Sequence, residues 1–265
     1  MGWRNILNIA KNCTEAENNA ERFLSALNAA MIREKGMHGS VGTQNEKLIH
    51  AALKNYYAPY CVEQEIKIGS YFADAVSEDG IFEIQTSGLY RLKEKLRVFL
   101  DYSHVTVVHP IISEYKTVFI NSDTDEVAKE SSVRKIKSEL KLFEELYSIR
   151  EFLTHKNLTI ILCFLKAEKR VYFKGELPNI RNKYERKKCV IQKIPIKILK
   201  EEKLEAPCDY ARFIPNGISG EFTKKQLSAA AKESGSSLRT EVLRTVGLIE
   251  KIGKNKNEFI YHMVF

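Results

Sequence analysis

The sequence is poor in the features that mark secreted and membrane-spanning proteins. Its five cysteines, an odd number at wide spacing, argue against a disulfide framework and against a Cys-x-x-Cys metal site. No apolar run reaches the roughly 18 residues that a membrane span needs. The first residues contain neither an apolar signal core nor a small-residue cleavage site. We therefore expect a cytoplasmic protein with no membrane partner.

Nucleotide-cofactor motifs are absent as well, because the sequence has no G-x-G-x-x-G and no Walker A loop. Positive charge, by contrast, is concentrated towards the end of the chain. The net charge of the chain is +8. Residues 186–265 contain 16 Lys/Arg and 9 Asp/Glu, whereas residues 1–185 contain 26 Lys/Arg and 25 Asp/Glu. This asymmetry indicates a polyanionic partner, although a solvated basic surface accounts for it equally well.

Hydrophobic periodicity predicts an α/β protein in which helices and strands are interspersed. Helical spacing of apolar residues predicts helices over 4–34, 43–57, 89–101 and 132–153. Apolar and β-branched runs predict strands over 105–112, 116–121, 158–165 and 170–173, with the last two paired across a short turn. The predicted division is an N-terminal helical segment, a large domain, an extended connection and a small C-terminal domain, over 1–40, 41–185, 186–216 and 217–265.

One stretch, FADAVSEDGIFEIQT over 72–86, places two acidic residues inside predicted strands. Its Ser-Glu-Asp-Gly turn predicts a β-hairpin. Since strand side chains alternate between faces, Asp74 and Glu83 can converge across the pair, and Gln85 shares the face of Glu83. Neither strand contains a basic residue to neutralise them, whereas a hard divalent cation would do so. Such a site would activate a water and polarise a phosphate.

The order of these elements resembles the PD-(D/E)XK nuclease superfamily, the restriction-endonuclease-like fold, over about residues 40–112. The resemblance implies a mixed sheet flanked by helices. It also implies that Asp74 and Glu83 bind Mg²⁺, which Mn²⁺ can replace, together with the carbonyl of Ile84. Glu46, on the preceding helix, would act through a second metal or a second layer of contacts. The alternative is that both strand acids face solvent and that Glu46 is only a helix-capping residue.

The chain departs from this superfamily at Gln85, where the family usually has lysine. Gln85 carries no positive charge, so it would stabilise a phosphate transition state less well, but it can still position a water or the phosphate. In some members the lysine lies on the following helix. Lys93 is then the first candidate, ahead of Lys95, with Lys67 on the preceding strand as a third.

The last 49 residues resemble a winged helix-turn-helix domain. Thr223 is expected to cap a first helix, a second is predicted over 238–252, and a hairpin follows. The resemblance implies that the second helix enters the major groove and that the wing contacts the backbone. The expected contacts with nucleic acid are Ser236, Arg239, Thr240, Arg244, Lys254 and Lys256. Winged helices also serve as protein–protein modules, and that alternative stays open.

Together these patterns predict a Mg²⁺-dependent DNA endonuclease, restriction-like or junction-resolving, that acts on duplex or branched DNA. Helix 4–34 would provide a homodimer interface. The alternative is a catalytically inactive nuclease-fold protein that binds DNA, or regulates, through its winged helix. A third interpretation is a protein-interaction module whose basic C-terminal part binds an acidic partner. RNA in place of DNA stays open at this stage.

Overall fold

The computed structural model describes residues 18–32, 41–57, 63–136, 140–232 and 238–264. Within these ranges the chain is an α/β protein, as predicted, with one large mixed sheet of eight strands and one small sheet of three. In the part of the chain that is described, no helix has the length and apolar character needed to cross a membrane.

The large sheet combines antiparallel and parallel neighbours. The strand Tyr71–Ser77 is antiparallel to its two neighbours, Glu63–Ile68 and Gly80–Ile84, and Gly80–Ile84 runs parallel to Val105–Asn121. The order is β1 (Glu63–Ile68), β2 (Tyr71–Ser77), β3 (Gly80–Ile84), β4 (Val105–Asn121), β7 (Leu158–Phe173) and β8 (Val190–Leu204), and β5 (Val127–Glu130) and β6 (Arg134–Lys135) pair with β4. The predicted connection 186–216 therefore contains a strand of this sheet.

The helices associated with the large sheet bury an apolar face, except Lys183–Lys187, which has no buried residue. In helix Lys93–Tyr102, for example, Leu96, Phe99 and Leu100 are buried at helical spacing, which explains why this segment forms an amphipathic helix. A 3-10 turn, Leu89–Leu92, leads directly into it. The helices are α1 (18–32), α2 (Val41–Tyr57), α3 (Lys93–Tyr102), α4 (Leu140–Ser148) and α5 (Lys183–Lys187).

The C-terminal residues form the second sheet around two short helices. The elements are β9 (Glu221–Thr223), α6 (Lys224–Ala230), α7 (Leu238–Thr245), β10 (Ile249–Asn255) and β11 (Glu258–Met263), with strand order β10-β11-β9. Thr223 caps α6 as predicted, because its hydroxyl accepts from the Gln226 N–H and the Gln226 side chain accepts from the Thr223 N–H.

The chain divides into two compact units, each assembled from separate segments. Unit 1 contains Met1–Cys61, Pro110–Ile136 and Cys163–Glu201, and unit 2 contains Val62–His109, Lys137–Leu162 and Glu202–Phe265. Unit 1 has a core between α1, α2 and β8, formed by Leu27, Ala30, Leu48, Ala52 and Ile194. The buried interior of unit 2 includes residues from β3, α3 and α4.

Several predicted boundaries are wrong. The segments 105–112 and 116–121 form one strand, and 158–173 is also one strand in place of two paired strands. The helix predicted over 132–153 begins at Leu140, because Arg134 and Lys135 pair with β4 instead. The second C-terminal helix ends at Thr245, since Gly247 adopts a positive φ of 79° and β10 starts two residues later. Of the predicted helix 4–34, residues 4–17, 33 and 34 lie outside the described ranges.

Candidate active site

The β2–β3 hairpin places its two acidic residues opposite each other. The strands pair as Ala75↔Phe82, Val76↔Ile81 and Ser77↔Gly80, so the next opposed positions are Asp74 and Glu83. Directly opposed residues on antiparallel strands project from the same face, with Cβ atoms about 5 Å apart. The predicted hairpin and the predicted convergence of its carboxylates are therefore confirmed.

The backbone ladder between β2 and β3 stops at this point, and the two carboxylates replace it. The Asp74 carboxylate accepts a hydrogen bond from the Ile84 N–H at 2.8 Å. The Glu83 carboxylate accepts one from the Asp74 N–H at 3.2 Å. Each carboxylate thus accepts a hydrogen bond from a backbone N–H of the facing strand, and these two bonds fix the positions of both side chains.

Gly80 allows β3 to begin close to the neighbouring backbone. Its φ is +120°, and a Cβ at this position would lie 2.3 Å from the carbonyl oxygen of His104. The Ile81 N–H donates to the same carbonyl at 2.8 Å. Only glycine fits here, and the hydrogen bond sets the register of β3 against β4, from which the position of Glu83 follows.

Glu83 is a buried carboxylate, and its burial and the nearby charge of Asp74 favour its protonated form. It is 2% exposed, so the alternative that this acid faces solvent is wrong. Burial, followed by the negative charge of Asp74, raises the pKa of Glu83 to about 7. Lys95 opposes this shift, because its Nζ donates to both carboxylate oxygens, at 2.9 and 3.2 Å.

The lysine beside the acidic pair is therefore Lys95 and not Lys93. A 3-10 turn leads into α3, and the helix places Lys95 beside β3, where it contacts Glu83. Lys95 is 25% exposed, so its ammonium group lies between the buried Glu83 and solvent. Of the candidate lysines, the structure places Lys95 against Glu83; a catalytic role for a lysine of this helix stays a prediction.

Gln85 is engaged by the loop that follows it. Its side-chain amide donates to the carbonyls of Ser87 and Gly88. Its backbone carbonyl lies 2.8 Å from Nδ1 of His109, a buried histidine whose pKa is lowered by burial. Contact of the Gln85 side chain with a water or a phosphate stays a prediction.

Glu145 of α4 supports this region, and sequence reasoning missed it. Its two carboxylate oxygens accept from the Gly88 N–H at 2.9 Å and the Leu89 N–H at 2.7 Å. These are the N–H groups at the start of the turn that leads into α3. No local signal identifies Glu145, because it lies 57 residues from Gly88 in the sequence.

The acidic pair fits a magnesium ion better than a transition metal. Among the residues that the structure describes, no group of three or more His, Cys, Asp and Glu side chains could hold a metal. Mg²⁺, however, often uses only one or two carboxylates and completes its shell with waters and substrate phosphates. Asp74, Glu83 and the Ile84 carbonyl match that donor set. The side chain of the fourth expected residue, Glu46, lies outside the described residues, and its backbone belongs to α2.

Two of the residues expected to contact nucleic acid are buried. Arg239 is 4% exposed, its guanidinium donates to the carbonyl of Phe213, and its Cζ lies 4.2 Å from the Phe143 ring centroid. Thr240 is fully buried. The prediction that both lie on the exposed face is wrong, because α7 packs this face against Phe143 of α4.

The other expected contacts divide between exposed and undescribed residues. Arg244 is exposed and pairs with Glu241 at 2.9 Å. Lys254 and Lys256 are exposed on the β10–β11 hairpin. Ser236 lies outside the described residues. The hairpin also presents Phe259, whose ring centroid lies 3.5 Å from Nζ of Lys251.

The candidate active site lies within the part of the chain that matches a protein-family model. The chain matches the model of the family described as "Domain of unknown function (DUF8091)" over residues 47–205, which is more than half of its length. It is also 32% identical over 130 residues to an uncharacterized protein of Treponema pallidum (strain Nichols). The match covers 49% of this chain and 51% of that protein, so the chain spans about half the length of this curated relative. No solved structure matches the chain. The chain belongs to the DUF8091 family.

Proposed function

We propose that the protein is a Mg²⁺-dependent DNA endonuclease with a restriction-endonuclease-like domain. The observation that carries the proposal is the opposition of Asp74 and Glu83 at the end of the β2–β3 ladder. The order of hairpin, helix α3 and parallel strand β4 supports it, since this is the order that the family resemblance implies. Lys95, in contact with Glu83, supplies the positive charge that Gln85 lacks.

In this proposal the chain's own residues bind the metal and place charge around the phosphate. Asp74, Glu83 and the Ile84 carbonyl hold Mg²⁺ or Mn²⁺. When bound, the metal polarises a phosphate oxygen and lowers the pKa of a coordinated water. Glu83 must be ionised to act as a ligand, so its pKa of about 7 favours binding at neutral to alkaline pH. Lys95, released from Glu83, then stabilises negative charge on the phosphate.

The C-terminal elements act as a winged helix in the same proposal. The hairpin of β10 and β11 corresponds to the wing, where Lys251, Lys254 and Lys256 would contact phosphates. Arg239 and Thr240 are buried and cannot reach DNA. Arg244 is exposed, so among the expected contacts of α7 it is the one that would bind DNA. A homodimer and a cytoplasmic setting remain predictions.

The test is cleavage of supercoiled plasmid and of a four-way junction with Mg²⁺, Mn²⁺ or EDTA. We expect the parent to cut in either metal and Asp74→Asn to lose at least about a hundredfold in rate. Asp79→Asn is the matched control, because it removes the same charge from the exposed turn of the same hairpin. The proposal fails if Asp74→Asn and Asp79→Asn cut equally well.

A catalytically inactive DNA-binding protein is the second candidate. It is favoured by one observation, that the Gln85 amide is bonded to the Ser87 and Gly88 carbonyls in place of an active-site lysine. This candidate predicts DNA binding that is equal in Mg²⁺ and EDTA, with no cleavage of either substrate. A gel shift run beside the cleavage assay separates the two functions.

A further inference from the structure

Unit 1 contains a concentration of positive charge that the candidate active site does not include. Arg134, Lys169, Arg186 and Lys193 come from β6, β7, α5 and β8, and we refer to them as the Lys169 cluster. Three are exposed, and Lys169 is half-buried. Burial lowers the pKa of Lys169, and the charges of Lys193, Arg186 and Arg134 lower it further. Each of these three cations therefore lies close enough to Lys169 to disfavour its charged form.

Three members of the cluster lie around a small apolar core. Lys169 shares its strand face with Val171, which belongs to this core. Ile191 and Cys189 pack against the same core. Lys193 lies two residues after Ile191 and so shares its face. Cys189 lies two residues after the end of α5. The core thus positions the cations of β7, β8 and α5 on one side of the sheet.

The fourth member, Arg134, lies on this same side. Arg134 pairs with Tyr115 of β4, so the two share a face. Lys116 follows Tyr115 and forms an ion pair with Glu168 at 3.5 Å, so Lys116 and Glu168 lie on one face of the sheet. Side chains alternate along each strand, so Tyr115 and Lys169 lie together on the other face. This is the face of Arg134.

The cluster extends over more of the sheet than a single phosphate covers. β6, β4, β7 and β8 are successive strands of the sheet. Neighbouring strands are about 4.8 Å apart, so the strand backbones that carry Arg134 and Lys193 are roughly 14 Å apart. Successive phosphates of a polymer can contact cations spread over this width at the same time.

The surroundings of the cluster favour a nucleic acid among polymeric anions. The segment around α5 adds the exposed cations Arg181, Lys183, Lys187 and Lys188. Between them Tyr184 is 79% exposed, and an aromatic ring in a basic groove is the usual platform for an unpaired base. We propose that the Lys169 cluster binds the phosphate backbone of a nucleic-acid strand, with one base stacked on Tyr184.

This inference goes beyond the proposed nuclease, because it involves none of the residues of the candidate active site. It is tested in EDTA, where no cleavage can occur. The probes are a fluorescein-labelled 20-nucleotide single strand of DNA and its duplex, titrated by anisotropy at several salt concentrations. Arg186→Gln/Lys193→Gln is the test variant. Lys156→Gln/Lys203→Gln is the matched control, since it removes two exposed cations from unit 2.

The test variant is expected to bind the single strand roughly ten- to thirtyfold more weakly at about 0.1 M salt, with a log–log salt slope smaller by about 1.4. The control should keep the parent's affinity and slope. Equal losses in the two variants, or no loss in either, would overturn the proposal. Loss of binding to phosphatidylserine vesicles with unchanged DNA binding would overturn it as well, because the surface would then contact lipid.

The stacking element has its own measurement. Tyr184→Ala should weaken single-strand binding at least about fivefold and leave duplex binding almost unchanged, because only unpaired bases can stack on the ring. An equal effect on single strand and duplex would contradict this role of Tyr184. If the protein binds these probes but cleaves neither plasmid nor junction, the result contradicts the nuclease proposal and leaves the proposed binding surface standing.

Discussion

Nζ of Lys95 lies 2.9 Å from Oε2 and 3.2 Å from Oε1 of Glu83, so a helix neutralises a carboxylate that is buried in the sheet. The two partners differ in exposure: the Lys95 side chain is 25% exposed and that of Glu83 only 2%. Lys95 can therefore move towards solvent, while Glu83 stays fixed by the hydrogen bond from the Asp74 N–H. In the proposed nuclease, this asymmetry would let a metal ion replace the ammonium group as the partner of Glu83.

A first prediction concerns the response of stability to Mg²⁺. A ligand that binds only the folded state raises the free energy of unfolding, by about 2.7 kcal/mol at a hundred times its Kd. Thermal unfolding at about pH 8 should therefore show a higher Tm with Mg²⁺ for the parent and for Asp79→Asn. Asp74→Asn should show no increase. An equal increase in all three proteins would assign the effect to general salt binding.

A second prediction concerns pH and Glu83. Burial raises the pKa of Glu83 from 4.5 to about 7, so the folded protein binds this proton more tightly than the unfolded chain. The stabilisation is complete below about pH 4.5 and is lost as the pH rises through about 7. Urea unfolding at about pH 5 and pH 8 should show the parent losing on the order of 2 kcal/mol relative to Glu83→Gln. Glu78→Gln, at an exposed position of the same hairpin, should follow the parent at both pH values.

A third prediction separates the two lysines of α3. Lys95→Met leaves the buried Glu83 without its ammonium partner, so it should lower the free energy of unfolding by about 1–3 kcal/mol at about pH 8. Plasmid cleavage should also be lost. Lys93→Met should leave both stability and cleavage near the parent values. A larger loss of cleavage in Lys93→Met would restore the lysine assignment made from the sequence.

The predicted hairpin was correct because its signals are local. Alternating side chains, a Gly-containing turn and apolar flanks lie within 15 residues, and each depends only on near neighbours. The choice between Lys93 and Lys95 was not local. It depends on the rotation of α3 relative to β3, which apolar spacing alone does not reveal.

The errors arose where distant residues decide the structure. The long strands β4 and β7 contain polar or proline residues in the middle, where the apolar pattern in the sequence is interrupted. Pairing with neighbouring strands keeps them extended. Glu145 carries no signal of its own, since its partners Gly88 and Leu89 belong to a distant part of the sequence. Arg239 was predicted on the wrong face because a basic residue at helical spacing normally faces water.

A fourth prediction distinguishes the two arginines of α7. Arg239→Met removes a buried guanidinium that donates to the Phe213 carbonyl, so it should destabilise the protein by about 1–3 kcal/mol. Arg244→Met removes an exposed side chain that pairs with nearby Glu241, and its effect on stability should stay within about 0.5 kcal/mol. If the winged-helix proposal holds, Arg244→Met weakens DNA binding in EDTA. Urea unfolding and anisotropy on the same samples measure both effects.

Helix α4 contacts two regions that lie far apart in the sequence. Phe143 lies beneath the Arg239 guanidinium of α7, and Glu145, two residues later, holds the N–H groups of Gly88 and Leu89 ahead of α3. A protein truncated after residue 216 would lose α7 and expose Phe143 on the helix that anchors the start of α3. Residues 217–265 are thus part of the framework that holds Lys95 against Glu83, and a fragment without them would carry the acidic pair with a loosened lysine.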